Sequence, residues 1–361
     1  MLEGGKISGR QLAFLLVLQV FGTVFLFLPG FVAKGAGRDA WLVPFVSAGF
    51  SLPQGALLLA LVRRFQGATA TGFCARQGGF LCRLPACLLL LFYTHLAAIV
   101  LREFGDFLNI AIMPETPLVV FGVVLVALSS YAVRQGIEVL GRLAEILLPV
   151  VLFSVAVVFI LAVGNMESRH FFPVLENGLL PLLKGSLPSF GWYSELAVLL
   201  FLAPFVARPE ETGWSFSVAV VITSIFFLLV IAGPLAVFGA EVTKSLVFPT
   251  FSLARIVELA EIVSRIEVVV VAVWVTAALV KLGILHYILV LGSAELLGLR
   301  DYRTLVLPLG LILGALSILV SRNVVELTEF LNRTWFFYSV TLQFLLPFAF
   351  FLMPLPGGNR R

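Results

Sequence analysis

The sequence predicts an all-α membrane protein: ten transmembrane helices in a five-plus-five inverted repeat, with helices 1 and 6 broken midway through the bilayer. Three observations predict it. Of 361 residues, 60% are hydrophobic and 12% charged, with a mean hydropathy of +1.09, a balance outside the range of soluble globular chains. Ten apolar stretches follow one another along the chain. The first and the sixth carry a similar Gly- and Pro-containing element.

A hydrocarbon core about 30 Å thick needs roughly 20 apolar residues per helical span. Segments that fit begin near positions 10, 40, 84, 117, 137, 186, 213, 265, 303 and 334. A transmembrane β-barrel requires short runs of alternating polarity, and stretches such as LVVFGVVLVALSSYAV and LPLGLILGALSILV do not alternate. Lys and Arg are enriched in cytoplasmic loops. With the N-terminus inside, thirteen of the 24 basic residues, from Lys6 and Arg10 to Arg360 and Arg361, fall on the inner side and ten on the outer. An even number of spans then places both termini in the cytoplasm. The net charge of +4 belongs to loops facing lipid and not to a nucleic-acid surface. The first apolar run is long and lacks an A-x-A site after it, so it is expected to remain in place and not to be cleaved as a signal peptide.

The chain reads as one transmembrane domain, residues 1–361, with repeat one at about 8–163, an outer loop at 164–185 and repeat two at about 186–356. The second long outer connection, 241–264, has Leu253, Ile256, Val257, Ala260 and Val263 on one helical face and Arg255, Glu258 and Glu261 off it. That pattern predicts a short helix at the outer mouth, either a gate or a surface helix on lipid headgroups. Cys74, Cys82 and Cys87 cluster in the inner connection before span 3. Neither a disulfide facing a reducing compartment nor a metal site without nearby His or acids is expected there.

VFLFLPGFVA (24–33) and LLFLAPFVA (199–207) share an FL-x-x-FVA element that contains a proline, and each follows a Phe-Gly, Phe21-Gly22 and Phe190-Gly191. Five spans separate them, so the copies run in opposite directions, the signature of an inverted repeat with a site at the midplane. In hydrocarbon an unpaired backbone group costs several kcal/mol, so a break survives only where protein or a polar ligand satisfies it. Unwinding at Gly22-Thr23 would offer N–H groups to a carboxylate at a helix N-terminus. A matching break at Ser189-Phe190-Gly191-Trp192 would offer carbonyls to an ammonium group. Together they would hold a small amino acid. The plainer reading of both glycines is close helix packing.

The N-terminal run KISGRQLAFLLVLQVFGTVFLFLPGFVAKGAGRDAW resembles the opening of the spore germination permease family, the B subunits (GerAB type) of germinant receptors. The features are Lys-Ile-Ser-x-x-Gln, a glycine in the first span, Leu-Pro, then Asp39-Ala40-Trp41. GWYSELAVLLFLAPFV in span 6 and SRIEVVVVAVWVTAALVK in span 8 extend the resemblance over nearly the full length. The family is similar to the amino acid-polyamine-organocation transporters. The resemblance implies ten helices with the inverted repeat, recognition of a small amino acid as germinant, and assembly with an A subunit and a lipid-anchored C subunit.

Ionisable residues within spans are functional candidates because their burial is costly unless they are paired. Glu195, one turn past Gly191, is expected to take a substrate ammonium, carry a proton, cap freed amides, or pair with Lys281 of span 8. Lys281 could offset carbonyl ends of a broken span 1. In proton-coupled relatives a lysine on span 5 stands in for sodium. Span 5 begins IEVLGRLAEILLP, with Glu138, Arg142 and Glu145 and no lysine, and this departs from that pattern. Tyr93, Phe190, Trp192 and Trp274 are candidates to close over a bound side chain. Trp41, Trp214 and Trp335 read as interface anchors, and His95 and His286 as satisfied interior or interfacial histidines. No phosphate-cradling loop, metal-spaced His/Cys set or G-x-S-x-G elbow appears, so neither an enzyme nor a cofactor is expected. The substrate-binding set is therefore Gly22, Thr23, Tyr93, Phe190, Gly191, Trp192, Glu195 and Trp274, with Lys281 and Glu195 as coupling residues. Two functions fit it, an amino-acid sensor subunit and a proton-coupled amino-acid transporter.

Overall fold

The computed structural model describes residues 2–77, 80–258 and 266–353, the side chains of 80–82, 257–258 and 266–270 excepted. Cys82, most of the amphipathic face expected at 256–263 and the basic end Arg360-Arg361 lie wholly or partly outside that description. Helices account for almost all of it: α1 (Gly9–Ala36), α2 (Val43–Arg64), α3 (Ala70–Gln77), α4 (Phe80–Ala111), α5 (Leu118–Gln135), α6 (Ile137–Ala162) and α7 (Leu179–Ser194). There follow α8 (Leu199–Leu202), α9 (Thr212–Thr243), α10 (Pro249–Glu258), α11 (Ile266–Leu297), α12 (Val306–Leu319), α13 (Val324–Arg333) and α14 (Trp335–Val340). Among the described residues nine stretches are long and apolar enough to cross a bilayer, and the first, Gly9–Arg64, contains two helices, α1 and α2. The protein is an all-helical integral membrane protein.

The long axis of the core is α1. It starts with a capping box: Ser8 Oγ accepts from the Gln11 amide at 3.1 Å, and Gln11 Oε1 accepts from the Ser8 amide at 2.9 Å. Two orphan donors of the first turn are thereby satisfied. From Leu15 to Ala33 every residue is buried, because α6, α7, α9 and α11 all pack against it. A helix apolar on all sides has no lipid or water face to present. Twenty-eight residues at 1.5 Å each span about 42 Å. α1 stops at Gly37, whose φ of +60° only glycine adopts without strain.

The expected interruption at Gly22-Thr23 is absent: α1 is continuous from Gly9 to Ala36, with Pro29 inside it. The sixth crossing does change geometry, although one turn later than expected. α-Helix continues through Phe190, Gly191 and Trp192 to Ser194, then tightens to 3-10 over Glu195–Val198, and a further 3-10 turn covers Ala203–Phe205. A third irregularity was not foreseen. Inside α9, Gly239 has φ +72° and ψ 170° and kinks the helix near its far end. The carbonyls around the kink are served: Thr243 Oγ1 donates to Gly239 O (2.7 Å) and Pro234 O (3.2 Å), while the Glu167 amide (2.9 Å) and His170 Nδ1 (2.7 Å) donate to Ala236 O.

The N-terminal segment ties one face of the bundle together. Ile7 pairs in parallel with Val206, donating to Phe205 O at 2.9 Å and accepting from the Ala207 amide at 2.9 Å. The Gly9 amide donates to Glu211 (3.1 Å) and the Lys6 amide to Glu138 (3.0 Å). Arg10 and Gln11 hold the two oxygens of Glu145, at 2.6 and 2.9 Å. The charges that open span 5 therefore anchor this segment. α10 forms at the predicted place and buries Leu253 while exposing Arg255. The inner connection before span 3 contains a short helix, α3.

Candidate functional site

At the centre of the bundle α1, α11 and the tightened part of the sixth crossing meet through polar side chains. Glu195 and Lys281 are completely buried and paired, with Lys281 Nζ 2.8 Å from Glu195 Oε2 and 3.1 Å from Oε1. Lys281 also donates to Thr23 Oγ1 at 2.8 Å, and Trp192 Nε1 donates to the same oxygen at 3.2 Å. Gln19 Nε2 donates to Glu195 Oε2 at 2.9 Å. Two charges so far from water are stable only because nearly every donor and lone pair is used. Of the alternatives left open for Glu195, the geometry displays the ion pair with Lys281.

Local sequence explains why the pair forms where it does. Gly22 leaves room for the lysine stem: a Cβ there would stand 2.9 Å from both Cβ and Cδ of Lys281. Gly22 thus serves the approach of α11, and its carbonyl accepts from Trp274 Nε1 at 3.1 Å. Trp274 lies flat on Phe104, ring centroids 4.4 Å apart, with Phe107 edge-on, which fixes the indole.

The geometry change at Glu195 coincides with extra donors aimed at its carbonyls. Gly191 O accepts from Ser194 Oγ (2.6 Å) and Ser339 Oγ (2.8 Å), and Ser194 O accepts from Gln54 Nε2 (2.8 Å). Gln343 donates to both serine hydroxyls from a π-helical turn, Thr341–Leu345, a form of helix frequent at functional sites. A Cβ on Gly191 would meet Trp335 at 2.6 Å, so this glycine too is a contact position.

Of the expected site residues, Thr23, Trp192, Glu195, Lys281 and Trp274 converge, with Gly22 contributing its carbonyl. Tyr93 is buried on α4 within electrostatic reach of Glu195, and its hydroxyl has no partner among the described residues. Phe190 stands apart, stacked on Phe50 at 4.9 Å and near Phe336. Trp335 is no interface anchor: it is buried against Trp192 and Phe92. Trp214 is exposed. His286 is satisfied by Ser129 (3.2 Å) and Val306 O (3.0 Å), and His95 contacts the Tyr338 hydroxyl (3.1 Å). Gln19, Gln54, Glu103, Ser339 and Gln343 were missed. A scan for any polar residue inside a span, and not only for charge beside glycine, would have found them.

The model of the spore permease family, described as spore germination protein, matches residues 6–325. The chain belongs to the spore germination permease family. Spore germination protein KB of Bacillus subtilis (strain 168) is 26% identical to this permease over 366 residues, covering all of the chain and 97% of the relative. Among solved structures, a Na+-coupled sialic acid symporter in a substrate-bound outward-open state is similar with a TM-score of 0.68 at 12% identity, covering 97% of this chain and 79% of the other. MhsT in complex with L-phenylalanine gives a TM-score of 0.63 at 13% identity, covering 97% and 99%. This germination permease therefore shares the fold of those two proteins.

Proposed function

We propose that the protein is a germinant-sensing membrane subunit that binds a small amino acid midway through the bilayer and signals with receptor A and C subunits. The proposal includes ten crossings in a five-plus-five inverted repeat, both termini cytoplasmic in an inner membrane, and no catalytic role. The observation that carries it is the fully buried Glu195–Lys281 pair tied to Thr23. A zwitterionic amino acid brings the same two charges at short separation. Its ammonium would take Glu195 and its carboxylate Lys281, so that one internal pair becomes two without changing net charge. Trp192 and Trp274 would wall the side chain, and Tyr93 would supply a free hydroxyl.

Because Lys281 belongs to α11, Thr23 to α1 and Glu195 to the sixth crossing, exchanging the pair for a ligand loosens three helices from one another. A ligand shifts a conformational equilibrium only through such differential contacts. No unwound α1 is required for this reading. The second reading, a proton-coupled amino-acid transporter, is favoured by the transporter fold. Labelled amino acid added to vesicles containing the purified protein separates the two. Binding without accumulation supports the sensor, accumulation without partner subunits supports the transporter, and the absence of binding by any free amino acid contradicts both.

A further inference from the structure

The buried charges near the bundle centre do not balance. Arg102 and Asp106 of α4 form a buried pair, Nε to the two carboxylate oxygens at 2.9 and 3.0 Å. Lys281 and Glu195 form the second pair, at 2.8 Å. Glu103 is left over. It is 1% exposed, and neither of its carboxylate oxygens has a hydrogen-bond partner among the described residues.

Every other acid in this interior has a donor, and Glu103 has an electrostatic environment but no contact. Lys281 of α11, Glu195 of the sixth crossing and Asp106 of its own helix are the charges within its reach. Both cations in this interior are already committed: Arg102 also donates to Ser321 O at 2.6 Å, and Lys281 to Thr23. The other elements against α4 offer no buried cation: α3 carries Cys74 and an exposed Arg76 near the opposite end of α4, and α13 carries Glu326, Glu329 and an exposed Arg333 that pairs with Glu329. α12 has no ionisable residue, and α5 has only Tyr131 and Arg134, near its far end from Glu103. A lone carboxylate out of water is strongly disfavoured, so the group must be neutralised.

We propose that Glu103 is the site of one bound proton that completes the charge balance of the closed bundle. Glu103 lies on α4, outside the three elements that carry the Glu195–Lys281 pair. The site therefore stands whether or not an amino acid binds at that pair. Through Lys281 it nevertheless feels that pair: withdrawing Lys281 toward a ligand carboxylate changes the field at Glu103, so proton occupancy and ligand binding are coupled, and the coupling is reciprocal.

The test uses the full-length protein in detergent micelles, as wild type, Glu103→Gln and Glu103→Asp. Melting temperature is followed from neutral to acid pH in an alkali-free, bulky-cation buffer, and then with sodium or potassium chloride at fixed ionic strength. The infrared C=O stretch of protonated carboxyl groups is recorded in the same samples. A proton at the site gives a carboxyl band in the wild type that Glu103→Gln loses, with a melting temperature that rises as pH falls in the wild type only. A melting temperature that rises with sodium or potassium in the wild type and not in Glu103→Gln, without that band, assigns the site to an alkali ion and overturns the proton. Glu103→Asp shifts the pH response without abolishing it. A Glu103→Gln protein that keeps the wild-type band and pH response overturns the proposal, as does a wild type that shows neither. Should Glu103→Gln fail to fold, the wild type and Glu103→Asp decide between the same outcomes.

Discussion

The first and sixth crossings carry a similar element, Phe-Gly followed by a proline-containing FL-x-x-FVA, yet α1 is an unbroken α-helix while the sixth crossing changes to 3-10 at Glu195. In both, the glycine is filled by a neighbour, the Lys281 stem at Gly22 and the Trp335 ring at Gly191. What differs is the supply of donors. Gly22 O receives one indole N–H, whereas Gly191 O receives two hydroxyls and Ser194 O an amide. Glycine marks where helices touch; the polar side chains around it decide whether the helix changes its geometry.

The largest effect expected from disturbing this arrangement falls on the element both crossings share. Lys281→Met strands Glu195 in the interior and should cost about 3–5 kcal/mol of stability, read as unfolding free energy in mixed micelles. Glu195→Gln added to it should restore most of the loss. A single variant as stable as the wild type would mean that Gln19 alone satisfies Glu195.

The two glycines sharpen the comparison next. Gly191→Ala sets a methyl 2.6 Å from a buried indole and should cost about 1–3 kcal/mol by overpacking. Gly22→Ala sets its methyl 2.9 Å from Lys281 Cβ and Cδ and 3.2 Å from Ala278 Cα, a smaller overlap than at Gly191, and should cost less, at the low end of that range. The same unfolding measurement ranks them, and equal costs would contradict the distinction.

Smaller effects come from the donors. Ser194→Ala and Ser339→Ala should each cost about 0.5–1.5 kcal/mol and speed amide hydrogen exchange over 191–198 without touching α1. Trp274→Phe, which leaves Gly22 O its own helical bond, should cost at the bottom of that range, read as a small fall in melting temperature. Exchange changes in α1 from the serine variants would show that the two crossings are not independent.

Much of this was legible from residue type and spacing. Apolar runs fixed the helices because a bilayer sets their length, and Glu195 and Lys281 stood out because charge inside a span needs a partner. The break in α1 was misread because glycine has two uses, unwinding and close contact, and only a three-dimensional neighbour tells them apart. Gln19, Gln54 and Gln343 escaped because a neutral amide carries no charge whose burial demands a partner, so it does not stand out inside a span as Glu195 and Lys281 do. The kink at Gly239 was hidden for another reason: the groups that satisfy it, Glu167 and His170, lie on a loop far away in sequence.

The most direct test concerns the buried pair as the seat of ligand recognition. The free amino acid that most raises the wild-type melting temperature is titrated calorimetrically into the wild type and into the Glu195→Gln, Lys281→Met double variant, which removes both charges together. Loss of at least tenfold in affinity, with the variant still folded, is the predicted result. An unchanged affinity in the folded variant would contradict the account.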